Sequence, residues 1–327
     1  MRDAVRDAVW DAVRDAVRDA GAEFFGERGM ACEWAAARWP GPGFMLICPA
    51  ARRLASAASR PSTTSAVERD VFSEIAVHTG SGSPSLVYQP QVRYPGGEVV
   101  GLEALFRWRA DSAPRRHSPL AFLPRLSVSQ TSELFFWVID TAVAEARVLS
   151  NWTGWQGLVG VNVEADQLGD PELVPHVQRA LHDSRWPAQR LSLEVTERRP
   201  IPVFPSVVRN IQALQQAGVQ IAMDDFGEGY ASFEYLKRLS PSQIKLPAGF
   251  TGGFERDPRN REIVRSLVAL GQRLGVQLSA EGVERPEDAQ ALRELGVQVM
   301  QGYLFGEPRQ LEDWAEFLNH GGRLRGA

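Results

Sequence analysis

The 327-residue sequence has few of the side chains that bind soft metals or form disulfides. It contains two cysteines, Cys32 and Cys48, and five histidines, with no CxxC and no HxxxH spacing. This scarcity argues against a disulfide framework and against a thiolate zinc site. If the protein is an enzyme, its chemistry is therefore expected to rest on carboxylates.

A basic excess and long apolar runs are also missing. Lys and Arg number 36 against 40 Asp and Glu, a formal net charge of −4. This balance excludes a protein that grips a nucleic-acid polymer through a basic surface. The longest apolar candidate, Gly43–Ala50, is far shorter than the roughly 18 residues of a membrane span and contains Pro49. We expect a cytoplasmic bacterial protein with neither a nucleic-acid polymer nor a membrane among its partners.

The first residues form a low-complexity extension. Residues 2–21 repeat a four-residue unit, RDAV with one WDAV and one RDAG variant, and residues 21–66 are rich in Gly, Pro, Ala and Arg. We interpret 1–66 as helical at first and then irregular; a helical arm that pairs with a partner is the alternative. One domain is predicted over 67–322, followed by a short tail at 323–327.

From about Ala66 short β-like runs alternate with stretches of helical length. The eight runs are Leu86–Val92, Val99–Trp108, Leu158–Val163, Leu191–Thr196, Val219–Met223, Gln243–Leu246, Val276–Ala280 and Val297–Gln301. Eight strands with mostly helical crossovers over about 250 residues predict an α/β fold, a (β/α)₈ TIM-type barrel. Only a short segment around Tyr94-Pro-Gly-Gly97 separates the first two runs. It is too short for a crossover helix, so this first pair is predicted to be antiparallel.

Most of these runs carry a carboxylate or an amide at or near their carboxyl end. They are Glu103, Asn162, Glu194, Asp224 with Asp225, Glu281 and Gln301. Barrel active sites are assembled at this end, and hard oxygen ligands favour Mg²⁺, Mn²⁺ or Ca²⁺ over Zn²⁺. The adjacent Asp224 and Asp225 suit two cations that clamp a phosphoryl displacement. For a single acidic residue the alternative is a helix cap, and for Asp224-Asp225 it is a solvated acidic turn.

With these motifs in order, the chain resembles the EAL-domain phosphodiesterases, which hydrolyse the bacterial second messenger cyclic di-GMP. The name motif is Glu103-Ala104-Leu105. The companion segments are YQP at 88–90, VN at 161–162, EVTE at 194–197, DDFGEGY at 224–230, YLKRL at 235–239, IK at 244–245, AEGVE at 280–284 and QGYLFGEP at 301–308. The resemblance covers about residues 67–322.

The resemblance implies a barrel with an antiparallel first strand, a site for Mg²⁺ or Mn²⁺, and opening of one phosphodiester bond to give linear 5′-pGpG by two-metal water attack. The implied metal ligands are Glu103, Asn162, Glu194, Asp224, Asp225 and Glu281. The implied catalytic residues are Lys245, Glu281 and Gln301, and the implied dinucleotide contacts are Gln89, Leu105 and Arg107. The implied lid and supporting residues are Glu197, Gly227, Glu228, Gly229 and Glu284. A homodimer through the lid-side face is a further expectation.

Two departures from the family pattern bear on activity. The family usually has K-I-D where this chain has Lys245-Leu246-Pro247, so one acid is missing, and Glu228 replaces a threonine of the lid. The alternative is therefore a catalytically weak or inactive receptor for cyclic di-GMP or a protein partner. An unrelated metal-dependent barrel enzyme would explain the carboxylates but not YQP or QGY.

Overall fold

The computed structural model describes residues 70–111, 116–196, 204–228 and 233–324, and two short strands before them. The chain divides into two compact units, Met1–Glu68 and Arg69–Ala327. In the first unit, β1 (Ala36–Arg38) pairs antiparallel with β2 (Phe44–Leu46). The remainder of the predicted extension lies outside the described residues, as does the end of the predicted tail. The boundaries predicted at 66 and 322 stay predictions.

The second unit contains a closed barrel of eight strands. The barrel strands are β3 (Gly82–Arg93), β4 (Glu98–Ala110), β6 (Leu158–Val163), β7 (Leu191–Thr196), β8 (Gln220–Asp224), β9 (Gln243–Leu246), β10 (Gln277–Ala280) and β11 (Val299–Met300). A short β5 (Arg116–His117) pairs with β4 beside the barrel. All eight predicted strands are present, and the predicted barrel is confirmed.

Strand direction follows from the length of the connections. Strands β4 and β6 to β11 pair parallel to their neighbours, whereas β3 is antiparallel to both β4 and β11. The four-residue turn at 94–97 leaves no room for a crossover helix. The pairing of β3 with β11 closes the barrel, so residues distant in sequence meet there.

The helices cover the outside of the barrel. They are α1 (Val71–Thr79), α2 (Val128–Thr153), α3 (Leu173–Ser184), α4 (Pro205–Gln216), α5 (Phe233–Leu239), α6 (Ala248–Thr251), α7 (Pro258–Leu274), α8 (Pro286–Glu294) and α9 (Leu311–Asn319).

Local sequence signals set the bounds of several helices. Ser127 and Gln130 form a capping box at the start of α2, and Gly154, in a left-handed conformation, ends it. Asp257 caps α7. The apolar faces of the helices pack on the strands around fully buried side chains such as Ile139 and Leu193. Among the described residues, no helix combines the length and the apolar character that crossing a membrane requires.

Candidate active site

The predicted polar residues converge at the carboxyl end of the barrel. Glu103 lies in β4, Asn162 in β6, Glu194 in β7 and Asp224 at the end of β8, and Glu281 directly follows β10. Parallel strands bring their carboxyl ends to the same rim. Residues that are far apart in sequence therefore meet in one cluster.

Lys245 of β9 lies at the centre of this cluster. Its Nζ is 2.5 Å from Glu194 Oε2 and 2.5 Å from Glu281 Oε1. Asp224 Oδ1 is 3.2 Å away and Glu103 Oε2 is 3.8 Å away. The lysine side chain is 1% exposed, so its charge is balanced by carboxylates and not by water.

An amide network holds Glu103 on the opposite side. Asn162 Nδ2 donates to Glu103 Oε1 at 2.6 Å, and Gln301 Nε2 donates to Glu103 Oε2 at 2.5 Å. The same Gln301 nitrogen is 3.2 Å from Gln89 Oε1, although the two glutamines are 212 residues apart. This network crosses the seam where β3 and β11 close the barrel.

Gln91 is a site residue that the sequence analysis missed. It is buried in β3, and its Nε2 donates to Glu194 Oε1 at 3.1 Å. Glu194 therefore has both oxygens engaged, one by Gln91 and one by Lys245. The sequence signal that could have identified Gln91 is the alternation of side chains between the two faces of a strand, which places Gln91 on the same face as Gln89.

Burial and charge crowding shift the ionisation of the cluster. Burial raises the pKa of Glu194 to about 7; the Lys245 ammonium opposes this rise, and Glu103 and Asp224 add to it. Burial raises the pKa of Glu281 well above its usual range; the Lys245 ammonium opposes this rise, and the neighbouring carboxylates add to it. Burial alone would lower the pKa of Lys245, but the four surrounding carboxylates raise it well above its usual range. The lysine is therefore an ammonium ion in this site.

The donor atoms fit hard divalent cations. Oxygens of Asp224, Asp225 and Glu281 lie within 4.8 Å of one another. Asp224 Oδ1 and Glu281 Oε1 are buried beside the Lys245 ammonium, whereas Gln301 Oε1 is buried and accepts no hydrogen bond. Crowded carboxylates that outnumber the positive charges beside them are stabilised by a divalent cation, and this all-oxygen donor set matches Mg²⁺, Mn²⁺ or Ca²⁺.

The residues implied for dinucleotide binding lie beside this cluster. Leu105 and Arg107 follow Glu103 at alternate positions of β4, so the three side chains share one face. Both are half-buried. Gln89 is opposite Glu103 in the register of β3 and β4. These residues border the site on its β3–β4 side.

The loop after β8 carries the implied lid. Asp225 has a φ of 52°, and Gly227 has a φ of 97°. Such left-handed backbone bends the chain sharply over the rim. Glu228 is exposed at the end of the described part of this loop, and Glu284 is exposed on the segment after β10. Glu197 and Gly229 lie outside the described residues.

Comparison with known proteins places the chain among EAL domains. Residues 75–308 match the EAL domain family. The chain is 36% identical over 231 residues to MucR of Pseudomonas aeruginosa, a bifunctional diguanylate cyclase/cyclic di-GMP phosphodiesterase, with 69% of this chain and 33% of MucR covered. It is 33% identical over 246 residues to the cyclic di-GMP phosphodiesterase RocR of the same species, with 73% of this chain and 61% of RocR covered.

Solved structures give the same result. The MucR phosphodiesterase in complex with c-di-GMP superposes with a TM-score of 0.66 at 32% identity, covering 74% of this chain and 98% of that one. BlrP1 of Klebsiella pneumoniae in its manganese/cy-diGMP complex gives 0.62 at 27% identity, covering 71% and 57%. The match spans only about a third of full-length MucR and about three fifths of RocR.

Proposed function

The chain belongs to the EAL domain family, and we propose that it is a metal-dependent phosphodiesterase that hydrolyses cyclic di-GMP to linear 5′-pGpG. The observation that carries this proposal is the convergence of five carboxylates at one barrel rim around a single buried lysine ammonium. The named activities of MucR and RocR supply the substrate class.

Two groups of residues would hold the cations, for which we propose Mg²⁺ or Mn²⁺. Glu103, Asn162 and Glu194 would hold them from β4, β6 and β7, and Asp224, Asp225 and Glu281 would hold them from the ends of β8 and β10. A bound pair of divalent cations supplies Lewis-acid charge that stabilises both the attacking and the leaving oxygen of an in-line displacement at phosphorus.

Lys245, Gln301 and Glu281 would orient and deprotonate the attacking water. Gln301 uses its amide nitrogen on Glu103 and Gln89, which leaves Oε1 free to accept a hydrogen bond from water. Glu281 would act as the proton acceptor for the attacking water. The Lys245 ammonium would stabilise negative charge that develops on the phosphate.

The proposed reaction is a hydrolysis of one phosphodiester bond. The water oxygen bonds to phosphorus, the bond from phosphorus to the ribose 3′ oxygen breaks, and that oxygen takes a proton.

Arg107 would bind a phosphate with its planar guanidinium, while Gln89 and Leu105 would contact the rest of the dinucleotide. Glu197 and Glu284 are proposed to support the metal ligands and the lid.

A receptor is the second candidate. At the start of α6, Pro247 offers a fixed φ of −72° and no carboxylate, where the family pattern has an acid. Such a barrel would bind cyclic di-GMP and turn it over slowly. For either function we propose a cytoplasmic location, where a soluble second messenger is accessible, and a homodimer through the lid-side face.

Product analysis in heavy-oxygen water tests the phosphodiesterase. The protein is incubated with cyclic di-GMP and Mg²⁺ or Mn²⁺ in H₂¹⁸O, and the products are separated by chromatography and weighed by mass spectrometry. We expect linear pGpG with one ¹⁸O in its terminal phosphate. Tight binding with no product in either metal would overturn the enzyme and favour the receptor.

A further inference from the structure

Two glycines leave room for polar side chains inside the barrel. In the register of β3 and β4, Gln91 lies directly opposite Gly101, and a Cβ built on Gly101 would lie 2.6 Å from Gln91 Oε1. On β6, a Cβ built on Gly160 would overlap Glu194 Oε1 and lie 2.8 Å from Glu194 Cδ. Non-bonded atoms do not approach this closely, so an alanine at either position would displace the polar side chain beside it.

The space that these glycines leave holds a buried hydrogen bond. Gln91 is 5% exposed and Glu194 is 1% exposed, and Gln91 Nε2 donates to Glu194 Oε1 at 3.1 Å. Because side chains alternate along a strand, Gln91 shares a face of β3 with Gln89, which contacts Gln301. Strand β3 therefore supplies the site with two amides, one of which bonds directly to a proposed cation ligand.

Gln91 restrains the Glu194 carboxylate without cancelling its charge. The other oxygen, Oε2, accepts a hydrogen bond from the Lys245 ammonium at 2.5 Å, so the two ends of the carboxylate are held by different partners. The amide of Gln91 carries no net charge, and the negative charge that attracts a cation is therefore retained. An ionised carboxylate oxygen has two lone pairs, so one N–H from Gln91 leaves a lone pair on Oε1 for a cation.

From this arrangement we propose that Gln91 is a positioning residue of the cation site, which holds the Glu194 carboxylate in the orientation that binds a divalent cation. Gly101 and Gly160 are the two positions whose missing side chains admit this pair. A group that hydrogen-bonds to a metal-ligating carboxylate fixes its orientation and thereby strengthens metal binding. The inference rests on the proposed function, because it assumes that Glu194 is a cation ligand.

Manganese affinity, measured by isothermal titration calorimetry without substrate, tests this role. Gln91→Met keeps the length of the side chain and removes the amide donor, and we expect it to weaken Mn²⁺ binding about 10- to 100-fold. A second variant, Gln91→Asn, keeps an amide but places it one carbon–carbon bond short of Glu194, and should weaken binding as well. The control is Gln215→Met on α4, which removes an amide that donates to the backbone carbonyls of Leu239 and Ser240. This control should bind Mn²⁺ like the wild type.

A rate assay separates positioning from a general packing defect. For Gln91→Met, the Mn²⁺ concentration that gives half the maximal rate of pGpG formation should rise about 10-fold or more. The KM for cyclic di-GMP at saturating Mn²⁺ should stay at the wild-type value, because Gln91 is buried and acts through Glu194. A loosened barrel would instead change the Mn²⁺ requirement and the KM together.

The outcomes distinguish this inference from the proposed function. Wild-type Mn²⁺ affinity in Gln91→Met, an equally large loss in Gln215→Met, or a KM that rises as much as the Mn²⁺ requirement would overturn the positioning role and leave the proposed function intact. A wild type that binds Mn²⁺ but forms no pGpG would overturn the proposed function alone, since calorimetry still decides the role of Gln91. Failure of the wild type to bind Mn²⁺ would overturn both.

Discussion

The buried ammonium of Lys245 explains how so many carboxylates share one rim. Its ion pairs with Glu194 and Glu281 are both 2.5 Å long, and Asp224 and Glu103 are the next charges around it. Paired charges of this kind avoid most of the desolvation cost that isolated buried ions incur. One lysine does not neutralise five carboxylates, so the site retains the negative charge that cation binding requires.

Asp224→Asn tests one of the proposed cation ligands. The amide keeps the shape of the side chain and removes its charge, so the initial rate of pGpG formation should fall by roughly 100-fold or more, as when an electrostatic group is removed from a preorganised site. Glu103→Ala is expected to abolish hydrolysis in the same assay. The matched control is Asp183→Asn, on the exposed end of α3, which should hydrolyse like the wild type. A wild-type rate in Asp224→Asn would rule out the two-cation assignment.

Sequence patterns located the individual proposed ligands but not their hydrogen-bond partners. Asn162, Glu194, Asp224 and Glu281 could be found because each stands at or near the carboxyl end of a strand, whereas Glu103 lies in the middle of β4. The hydrogen bond from Gln91 to Glu194 joins residues 103 positions apart, and no local pattern encodes it. The space that Gly160 leaves for Glu194 depends on how two neighbouring strands face the barrel interior, which is also a tertiary contact.

Strand β3 and helices α2 and α9 meet at a buried polar pair behind the barrel wall. The Tyr88 hydroxyl donates to Glu145 Oε2 at 2.6 Å, and Trp314 Nε1 donates to the Tyr88 carbonyl at 2.8 Å. Burial raises the pKa of Glu145 to about 7, opposed by the Tyr88 hydrogen bond and aided by Glu312. This carboxyl titrates near neutral pH without contacting the proposed active site.

Glu145→Gln should flatten part of the pH dependence of stability. An acid whose pKa is higher in the folded than in the unfolded protein stabilises the fold below its unfolded pKa, and this contribution is lost as pH rises through the folded pKa. Between pH 5 and pH 8 the wild type should therefore lose roughly 2–3 kcal/mol more unfolding free energy than Glu145→Gln. Urea unfolding across this range measures the difference.

The control for this comparison is Glu294→Gln, an exposed position on α8. Its curve should be parallel to that of the wild type throughout. If Glu145→Gln also runs parallel to the wild type, Glu145 does not titrate near pH 7 in the folded protein.

The barrel as a whole was accessible from sequence because its elements are regular. Alternating strand and helix lengths indicated the fold, and the four-residue turn at 94–97 indicated the antiparallel first pair, which the structure confirms. The short α6 gave no such signal, since four residues are too few for a periodic pattern. Its contacts with the loop after β8 and with the backbone of Glu281 are visible only in the folded structure.

Cation binding should couple to the stability of the whole molecule in a pH-dependent way. Without divalent cations, the pKa of Glu194 is raised to about 7, and the pKa of Glu281 is raised as well. These raised pKa values add to the stability of the folded protein at pH 5. This contribution is lost as the pH rises through the pKa values of the folded protein. Ionised carboxylates bind cations best. Saturating Mn²⁺ should therefore raise the Tm more at pH 8 than at pH 5, relative to protein in chelator. An equal rise at both pH values would contradict this linkage.

The most direct test of the proposed activity is a metal titration of turnover. Protein stripped with chelator is given cyclic di-GMP, and linear pGpG is followed by chromatography as Mn²⁺ is added stepwise. We predict no product in chelator, a rise in rate that saturates with Mn²⁺, and a flat response for Asp224→Asn. Product formation that persists in chelator, or its absence at saturating Mn²⁺ and Mg²⁺, would contradict the metal-dependent phosphodiesterase.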